Sequence, residues 1–377
     1  MGYWIINILS VFLISVIVTG VLIPQILLIA FRKRLFDVHD ERKIHQGIVP
    51  RLGGIAFVPS IILSIASIGG INAMLYNKAI FSILNVIPQQ VCFGLCALMI
   101  MYLVGMADDL VGVKYRAKFY SQILSGILLV ISGLLINDLH GFLFFNTIVP
   151  PVSYVLTVFL FVLIVNSVNL IDGIDGLASG LCGIGLCFYG IVFYNVGELL
   201  YSIIAFATFG TLVPFFYYNV FGNAKDRKKI FMGDTGTLTT GTILYILTVK
   251  MCMQPSSEIF DMNPIVLAYS PLIVPCFDVI RVFIHRVRVG RNPFMPDKCH
   301  IHHKLLFLGI KQRTAMPLIL LMSLLFIAFN VVLSPYINST LIMLLDMVIW
   351  CAINMWLTRV IRLREKKKHI SVEEQYK

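Results

Sequence analysis

The chain alternates long apolar runs with shorter polar connections. Eleven runs lie near 4–31, 53–73, 88–107, 119–136, 151–168, 177–195, 198–218, 236–253, 263–284, 315–334 and 339–358. Runs of roughly 17 to 25 apolar residues are long enough to cross a hydrocarbon layer as helices. They lack the strict alternation that a membrane barrel requires. The pattern predicts an all-α, polytopic membrane domain over residues 1–358 with about eleven transmembrane helices, and a basic polar tail at 359–377. The tail is expected to be disordered or to lie against lipid headgroups. The first run is followed by Arg32-Lys33-Arg34 and no small-residue cleavage site, so it reads as a retained helix.

Composition agrees with the pattern: 58% of residues are hydrophobic and 13% charged. Soluble domains carry about 25% charged residues. The placement of the basic residues adds an orientation. Of 30 Lys and Arg, 28 fall in the loops after odd-numbered runs, leaving Lys78 and Lys250 for the other side. Basic loops stay in the cytoplasm, so the N-terminus is expected outside and the C-terminus inside. The net charge of +11 is spread over five loops. It therefore predicts contact with anionic membrane lipids and no nucleic-acid partner. The eight cysteines form no CxxC pair, and Cys92 and Cys96, one helical turn apart, read as packing residues.

The informative polar residues are the acids. Five of only 19 sit in three short motifs: Asp108 and Asp109 in GMADDL, Asp172 and Asp175 in NLIDGIDG, and Asp234 in FMGDTG. Each motif ends or opens an apolar run on the basic side, so all can meet at one membrane edge. Ionised groups there usually mark function. Clustered carboxylates suit a hard divalent cation shared with substrate phosphates. Two neighbouring acids on a helix end point differently, so one of Asp108 and Asp109 can face a metal and the other a substrate proton. The alternative is a solvated pair balanced by Lys114, Arg116 and Lys118.

Asn166 and Asn169 share a helix face, and Asp172 and Asp175 repeat the three-residue spacing, each followed by Gly. Such glycines allow close backbone approach to a ligand; a plain helix-to-helix turn is the competing reading. Asp234 either caps its helix or binds a metal while the helix N-terminus offers N–H groups to a phosphate. Lys225, Arg227, Lys228 and Lys229 read as topology signals only. His300, His302 and His303 cluster beside Cys299. With no second Cys/His group nearby they suit phosphate oxygens better than zinc, as do Arg281, Arg286, Arg288 and Arg291. Asp278 and Arg281 are spaced to pair locally. His45, Arg51, Gly53 and Gly54 either border the site or form a solvated loop, and Asp346 in the last run has no assignment beyond a partner surface or the bundle interior.

In this order, ERKIHQGIVPRLGG, GMADDL, NLIDGIDGLASG, FMGDTGTL and PFMPDKCHIHH resemble the polyprenyl-phosphate N-acetylhexosamine-1-phosphate transferases, the WecA/TagO-like group related to MraY. The resemblance covers most of the chain. It implies transfer of a sugar-1-phosphate, GlcNAc-1-phosphate by default, from a UDP-N-acetylhexosamine to undecaprenyl phosphate. The products are undecaprenyl-diphosphate-sugar and UMP, at the cytoplasmic face of the inner (plasma) membrane, with Mg2+ or Mn2+ required. This is an initiating step of a lipid-linked envelope polysaccharide. By resemblance Asp234 is the metal ligand and Asn169 its helper. Asp108 or Asp109 orients or deprotonates the acceptor phosphate, and Asp172 and Asp175 position nucleotide and metal. His300, His302 and His303, with Arg281 or Arg286, neutralise the diphosphate. His-Ile-His-His, where MraY enzymes read His-His-His, favours the WecA-like branch over the peptide-bearing donor. A homodimer is compatible with these features. An ion-coupled transporter is the reading from a different class, disfavoured because the acids gather at one edge and no repeat is visible.

Overall fold

The computed structural model describes residues 2–35, 49–75, 88–256, 262–290, 292 and 299–375, with side chains described as far as Arg364. Helices α1 (Gly2–Lys33) and α2 (Phe57–Met74) are followed by α3 (Pro88–Val111) and α4 (Tyr115–Ile131). Next come α5 (Pro150–Ile171), α6 (Leu177–Asn195), α7 (Leu199–Phe216) and α8 (Gly233–Cys252). The chain ends with α9 (Pro264–Tyr269), α10 (Ile273–Arg288), α11 (Ile301–Phe307), α12 (Gln312–Leu333) and α13 (Ser339–Gln375). Among the described residues the only β pairing is one isolated bridge between Asp138 and Thr147.

Every apolar run of the sequence falls on helix. The ninth run is two helices, because Pro271 interrupts it with a 3-10 turn over Ser270–Leu272 between α9 and α10. Among the described residues, nine helical segments are long and apolar enough to cross a membrane. The runs that fall outside that set are α4, which has 17 residues, and α8, whose first half reads GDTGTLTTGT. At the end of the chain the polar tail is helical, continuing α13 to Gln375, so of the two expectations for it the disordered one does not hold.

Low hydropathy in α8 has a structural reason. It is the central helix, buried along nearly its whole length and packed against α3, α5, α6 and α9. Its threonines satisfy their own hydroxyls: Thr240, Thr242 and Thr248 each donate to the carbonyl four residues back, at 2.7–2.8 Å. Small residues let its neighbours come close, as in other membrane helix contacts. A Cβ on Gly105 of α3 would lie 2.6 Å from Thr235 Cα, and one on Gly54 would lie 2.0 Å from the Gly236 nitrogen.

The segment entering α2 is pinned to the segment entering α8. Phe231 N–H donates to the Pro50 carbonyl at 2.9 Å, Gly53 N–H to Phe231 at 3.0 Å and Gly54 N–H to Met232 at 2.9 Å. Arg51 is thereby carried to the start of α8. Asp346, unassigned from sequence, faces the bundle interior. It is fully buried and accepts from the Asn330 amide at 3.0 Å, which also reaches Ser270 Oγ at 2.9 Å. Lys250 is buried too, paired with Glu198 at 2.6 Å and set over the Tyr201 ring.

Candidate active site

The C-terminal ends of α3 and α5 and the N-terminal ends of α6 and α8 meet at one end of the bundle. There Asp108, Asp109 and Asp234 each offer a carboxylate oxygen within 4.8 Å of the others. The two neighbouring acids have different roles. Asp109 reaches across to α8 and accepts from Asp234 N–H at 2.8 Å, Thr235 N–H at 2.9 Å and Thr235 Oγ–H at 2.5 Å. A residue of α3 therefore caps α8, which has no side-chain cap of its own. This corrects one sequence reading: the Asp234 and Thr235 N–H groups are taken by Asp109 and are not offered to a phosphate. Gly233 makes the approach feasible, with φ +70 and Asp109 Oδ2 only 2.5 Å from where its Cβ would stand.

Asp108 is held differently. Its Oδ1 accepts from Val113 N–H at 2.7 Å, and its Oδ2 pairs with Lys118 Nζ at 2.7 Å. The same ammonium binds Asp234 Oδ2. Lys118, read from sequence as a possible solvated counter-charge, is thus a bridge between two motifs.

The NLIDGIDG segment turns sharply from α5 into α6. Gly173 N–H closes onto the Ile171 carbonyl at 2.7 Å, and Gly176 adopts φ +76 with its N–H on Asn219 Oδ1 at 2.7 Å. Asn219 also donates to the Ile230 carbonyl at 2.9 Å, tying this turn to the segment before α8. Asn169 donates its amide N–H to Thr237 Oγ at 2.8 Å, a bond that does not use its carbonyl oxygen. Asn166 instead pairs with Gln122 of α4 at 2.7 Å, a structural contact.

Asp172 is solvent-accessible yet ringed by protein atoms. That desolvation, then the charges of Asp175, Asp234 and Asp109, push its carboxyl up to about 7 against the opposing pull of Arg51. Asp172, Asp175, Asp109, Asp234 and Arg51 therefore share one electrostatic neighbourhood. Asp175 pairs with Lys229 at 2.6 Å, and Lys229 is buried. Beyond the topology signal read from sequence, Lys229 is a buried partner of Asp175, because the chain turns inward at Lys229-Ile230.

The histidines are organised by Asp278, which is fully buried in α10. It accepts from Arg281 Nη2 at 2.7 Å and from Ile301 N–H, and meets His300 Nδ1 at 2.8 Å. Arg281 also donates to the Cys299 carbonyl at 2.6 Å. Its local pairing with Asp278 is as expected, and the same guanidinium anchors the histidine segment. Arg286 is buried in the last turn of α10. His302 and His303 lie 4.2 Å apart between ring centroids, with His302 stacked on His300 at 5.7 Å.

His302 connects this cluster to the acidic turn, since a Cβ on Gly173 would lie 2.1 Å from His302 Nε2. Both its ring nitrogens are buried without a hydrogen-bond partner. Burial, then the neighbouring His303 and His300, lower it to about 3. His302 is therefore a neutral imidazole at neutral pH, able to hydrogen-bond an anion but not to contribute a standing positive charge. His45, Arg291 and Pro296 to Lys298 lie outside the described residues.

The donor set fits a divalent cation. Carboxylate oxygens from Asp108, Asp109 and Asp234 lie close enough to share one ion, and two of those acids already share a cationic ligand. All-oxygen donors suit Mg2+ or Mn2+ better than a soft metal.

Residues 91–252 match the profile of glycosyl transferase family 4. The chain is 30% identical over 322 residues to a Bacillus subtilis (strain 168) protein named probable undecaprenyl-phosphate N-acetylglucosaminyl 1-phosphate transferase, covering 85% of this chain and 83% of that one. It is 29% identical over 296 residues to the Yersinia pestis undecaprenyl-phosphate alpha-N-acetylglucosaminyl 1-phosphate transferase, covering 78% and 75%. The Escherichia coli (strain K12) protein of the same name is 29% identical over 299 residues, with the same coverage.

Proposed function

The chain belongs to the undecaprenyl-phosphate N-acetylglucosaminyl 1-phosphate transferases of glycosyl transferase family 4, and from that premise we propose how its own residues carry the reaction. The substrates are UDP-GlcNAc and undecaprenyl phosphate. An oxygen of the lipid phosphate attacks the phosphorus that bears the sugar. The bond from that phosphorus to the oxygen bridging to the uridine phosphate breaks, and UMP leaves with the bond's electrons. The product is undecaprenyl-diphosphate-GlcNAc, an initiating intermediate for an envelope polysaccharide.

The observation that carries this reading is the oxygen cluster of Asp108, Asp109 and Asp234. These acids, helped by Asn169, would hold Mg2+ or Mn2+, which neutralises diphosphate charge when bound. Phosphoryl transfer depends mainly on positioning and charge neutralisation. The chain's own groups fit that demand. Asp109 locks the end of α3 onto the start of α8, fixing Asp234 beside Asp108. Asp172, Asp175 and Arg51 surround the nucleotide side. His302 and His303 donate hydrogen bonds to phosphate oxygens, while Arg281 holds the histidine segment through Asp278 and Cys299. A lipid phosphate monoester is already largely ionised at neutral pH, its second pKa being about 6. Asp108 therefore orients the nucleophile more than it deprotonates it, and the phosphate attacks directly.

The basic loops support a cytoplasmic location for this end of the bundle, with the N-terminus outside and the C-terminus inside. The test uses purified protein in detergent with undecaprenyl phosphate, Mg2+ and UDP-GlcNAc, following UMP and lipid-linked sugar. Formation of both products, abolished by EDTA and in a folded Asp234→Ala variant, is the expected result. Turnover that survives metal removal would overturn the metal assignment, and turnover only with another UDP-sugar would replace the donor.

A further inference from the structure

Resting on the metal-site reading above, we infer that Lys118 is a tethered counter-cation of the carboxylate cluster, exchanged for the divalent ion when the site loads. Its ammonium bonds to Oδ2 of Asp108 at 2.7 Å and to Oδ2 of Asp234. These acids come from two of the three acidic motifs and belong to the set whose oxygens lie within 4.8 Å of one another. The third acid, Asp109, has its charge met by the first N–H groups of α8 and the Thr235 hydroxyl. The two acids left to repel each other are the two that Lys118 bridges.

Two further facts separate this from an ordinary surface ion pair. Lys118 is the fourth residue of α4, in its first turn. Cations are disfavoured at a helix N-terminus by the aligned peptide dipoles. Helix stability therefore does not explain a lysine there, whereas reach to the carboxylates does. The side chain is also only 24% exposed, so the bridge is shielded from much of the solvent screening that weakens surface pairs.

A lysine ammonium and a divalent ion held on the same two carboxylates a few ångströms apart repel each other, and the doubly charged ion is the stronger partner for the acids. Loading the ion therefore moves Lys118 Nζ off Asp108 and Asp234. The four-carbon stem keeps the displaced charge at the edge of the site, where a diphosphate or lipid phosphate oxygen is the available acceptor. Lys118 in this account is a positioning residue. It holds together the acids of the metal-free site, then turns towards substrate, so that ion binding and anion binding assist each other.

The experiment measures Mn2+ binding to the purified full-length protein by electron paramagnetic resonance, for wild type, Lys118→Met and Lys118→Arg. Lys118→Met is expected to bind Mn2+ about tenfold more tightly or better, because a competing unit charge a few ångströms away is gone. Lys118→Arg keeps the charge and should stay near wild type. Thermal unfolding supplies a second reading: Lys118→Met should gain more from Mn2+ over EDTA than wild type does. The wild-type protein gives a third, independent of any variant's folding. Amine-specific labelling read by mass spectrometry should find Lys118 more reactive with Mn2+ than with EDTA. Equal or weaker Mn2+ binding by Lys118→Met, or labelling of Lys118 unchanged by Mn2+, overturns the counter-cation role while leaving the metal site standing. No Mn2+ binding by wild type or either variant removes both.

Discussion

Asp109→Ala is expected to destabilise the protein more than Asp108→Ala does, although the two residues are adjacent and both belong to the same cluster. Asp109 accepts three hydrogen bonds from the start of α8, two of them from main-chain N–H groups. Loss of a helix cap costs about 1 kcal/mol, and up to about 2 in well-ordered sites. Leaving a partly buried hydroxyl and N–H unmet adds roughly 1–3 kcal/mol. Relief of repulsion between Asp109 and Asp234 offsets part of this, so the expected loss is about 2–4 kcal/mol. Asp108→Ala removes one main-chain acceptor and a partly exposed ion pair, each worth roughly 1 kcal/mol or less. It also leaves Lys118 bound to Asp234. The gap between the variants should be near 2 kcal/mol, on the order of 4 °C in midpoint for a chain of moderate size. The assay is thermal unfolding in detergent with EDTA present, so that metal binding does not confound the comparison. Asp109→Asn, which retains one acceptor oxygen, should fall between wild type and Asp109→Ala. Equal midpoints for the Asp108 and Asp109 alanine variants would refute the cross-helix cap.

Four other outcomes follow from the geometry. Asp234→Asn should lower UMP release at least about a hundredfold, as loss of one preorganised charge-stabilising group typically does, while the protein elutes as a single species. Gly54→Ala should cost about 3 kcal/mol or prevent folding, since its Cβ would meet the Gly236 backbone; Gly69→Ala, with nothing within 4 Å, should be neutral or mildly stabilising in the same unfolding assay. Lys229→Met takes the buried ammonium from the Asp175 carboxylate and should destabilise by about 3 kcal/mol, recovered in part by the double variant with Asp175→Asn. Asp172 has a folded-state carboxyl raised to about 7, so the stability it contributes is full below about pH 4 and lost as pH rises through 7. Metal-free wild type should therefore lose midpoint between about pH 4.5 and 7 more steeply than Asp172→Asn, and the two should run parallel above that.

Much of the architecture is readable from hydropathy because a lipid solvent imposes long apolar runs on any helix that faces it. Every run identified in the sequence falls on helix, and the acidic motifs do collect at one end. The contacts that the sequence leaves open share a cause. Lys229 and Lys118 look like loop charge in a one-dimensional view, because the rule that places basic residues in the cytoplasm already accounts for them. Only the inward turn at Lys229-Ile230 and the reach of Lys118 across to α8 distinguish a paired lysine from a solvated one. Asp109 and Asp108 were likewise interchangeable as letters; the N–H groups of a helix more than a hundred residues away distinguish them. Pro271 was a visible cue to the break between α9 and α10, but the surrounding hydropathy outweighs it in a window reading. The polar tail has no apolar stripe to announce a helix, and is helical as a continuation of α13.

The threonine-rich centre of the bundle bears on biogenesis. A segment beginning GDTGTLTTGT has little affinity of its own for hydrocarbon, and α8 is absent from the helices apolar enough to insert on composition alone. Its entry into the bilayer should depend on partners already there, chiefly α3 and α5, which cover it in the folded protein. Asp234, the proposed metal ligand, would then reach its membrane edge only once the earlier half of the chain is assembled, so that an incomplete bundle carries no complete carboxylate cluster. Glycosylation mapping of nascent chains truncated after α8 can follow this. Insertion of α8 should be efficient behind the native α3 and α5 and poor when both are exchanged for polyleucine spans, and equal insertion in the two contexts would rule the dependence out.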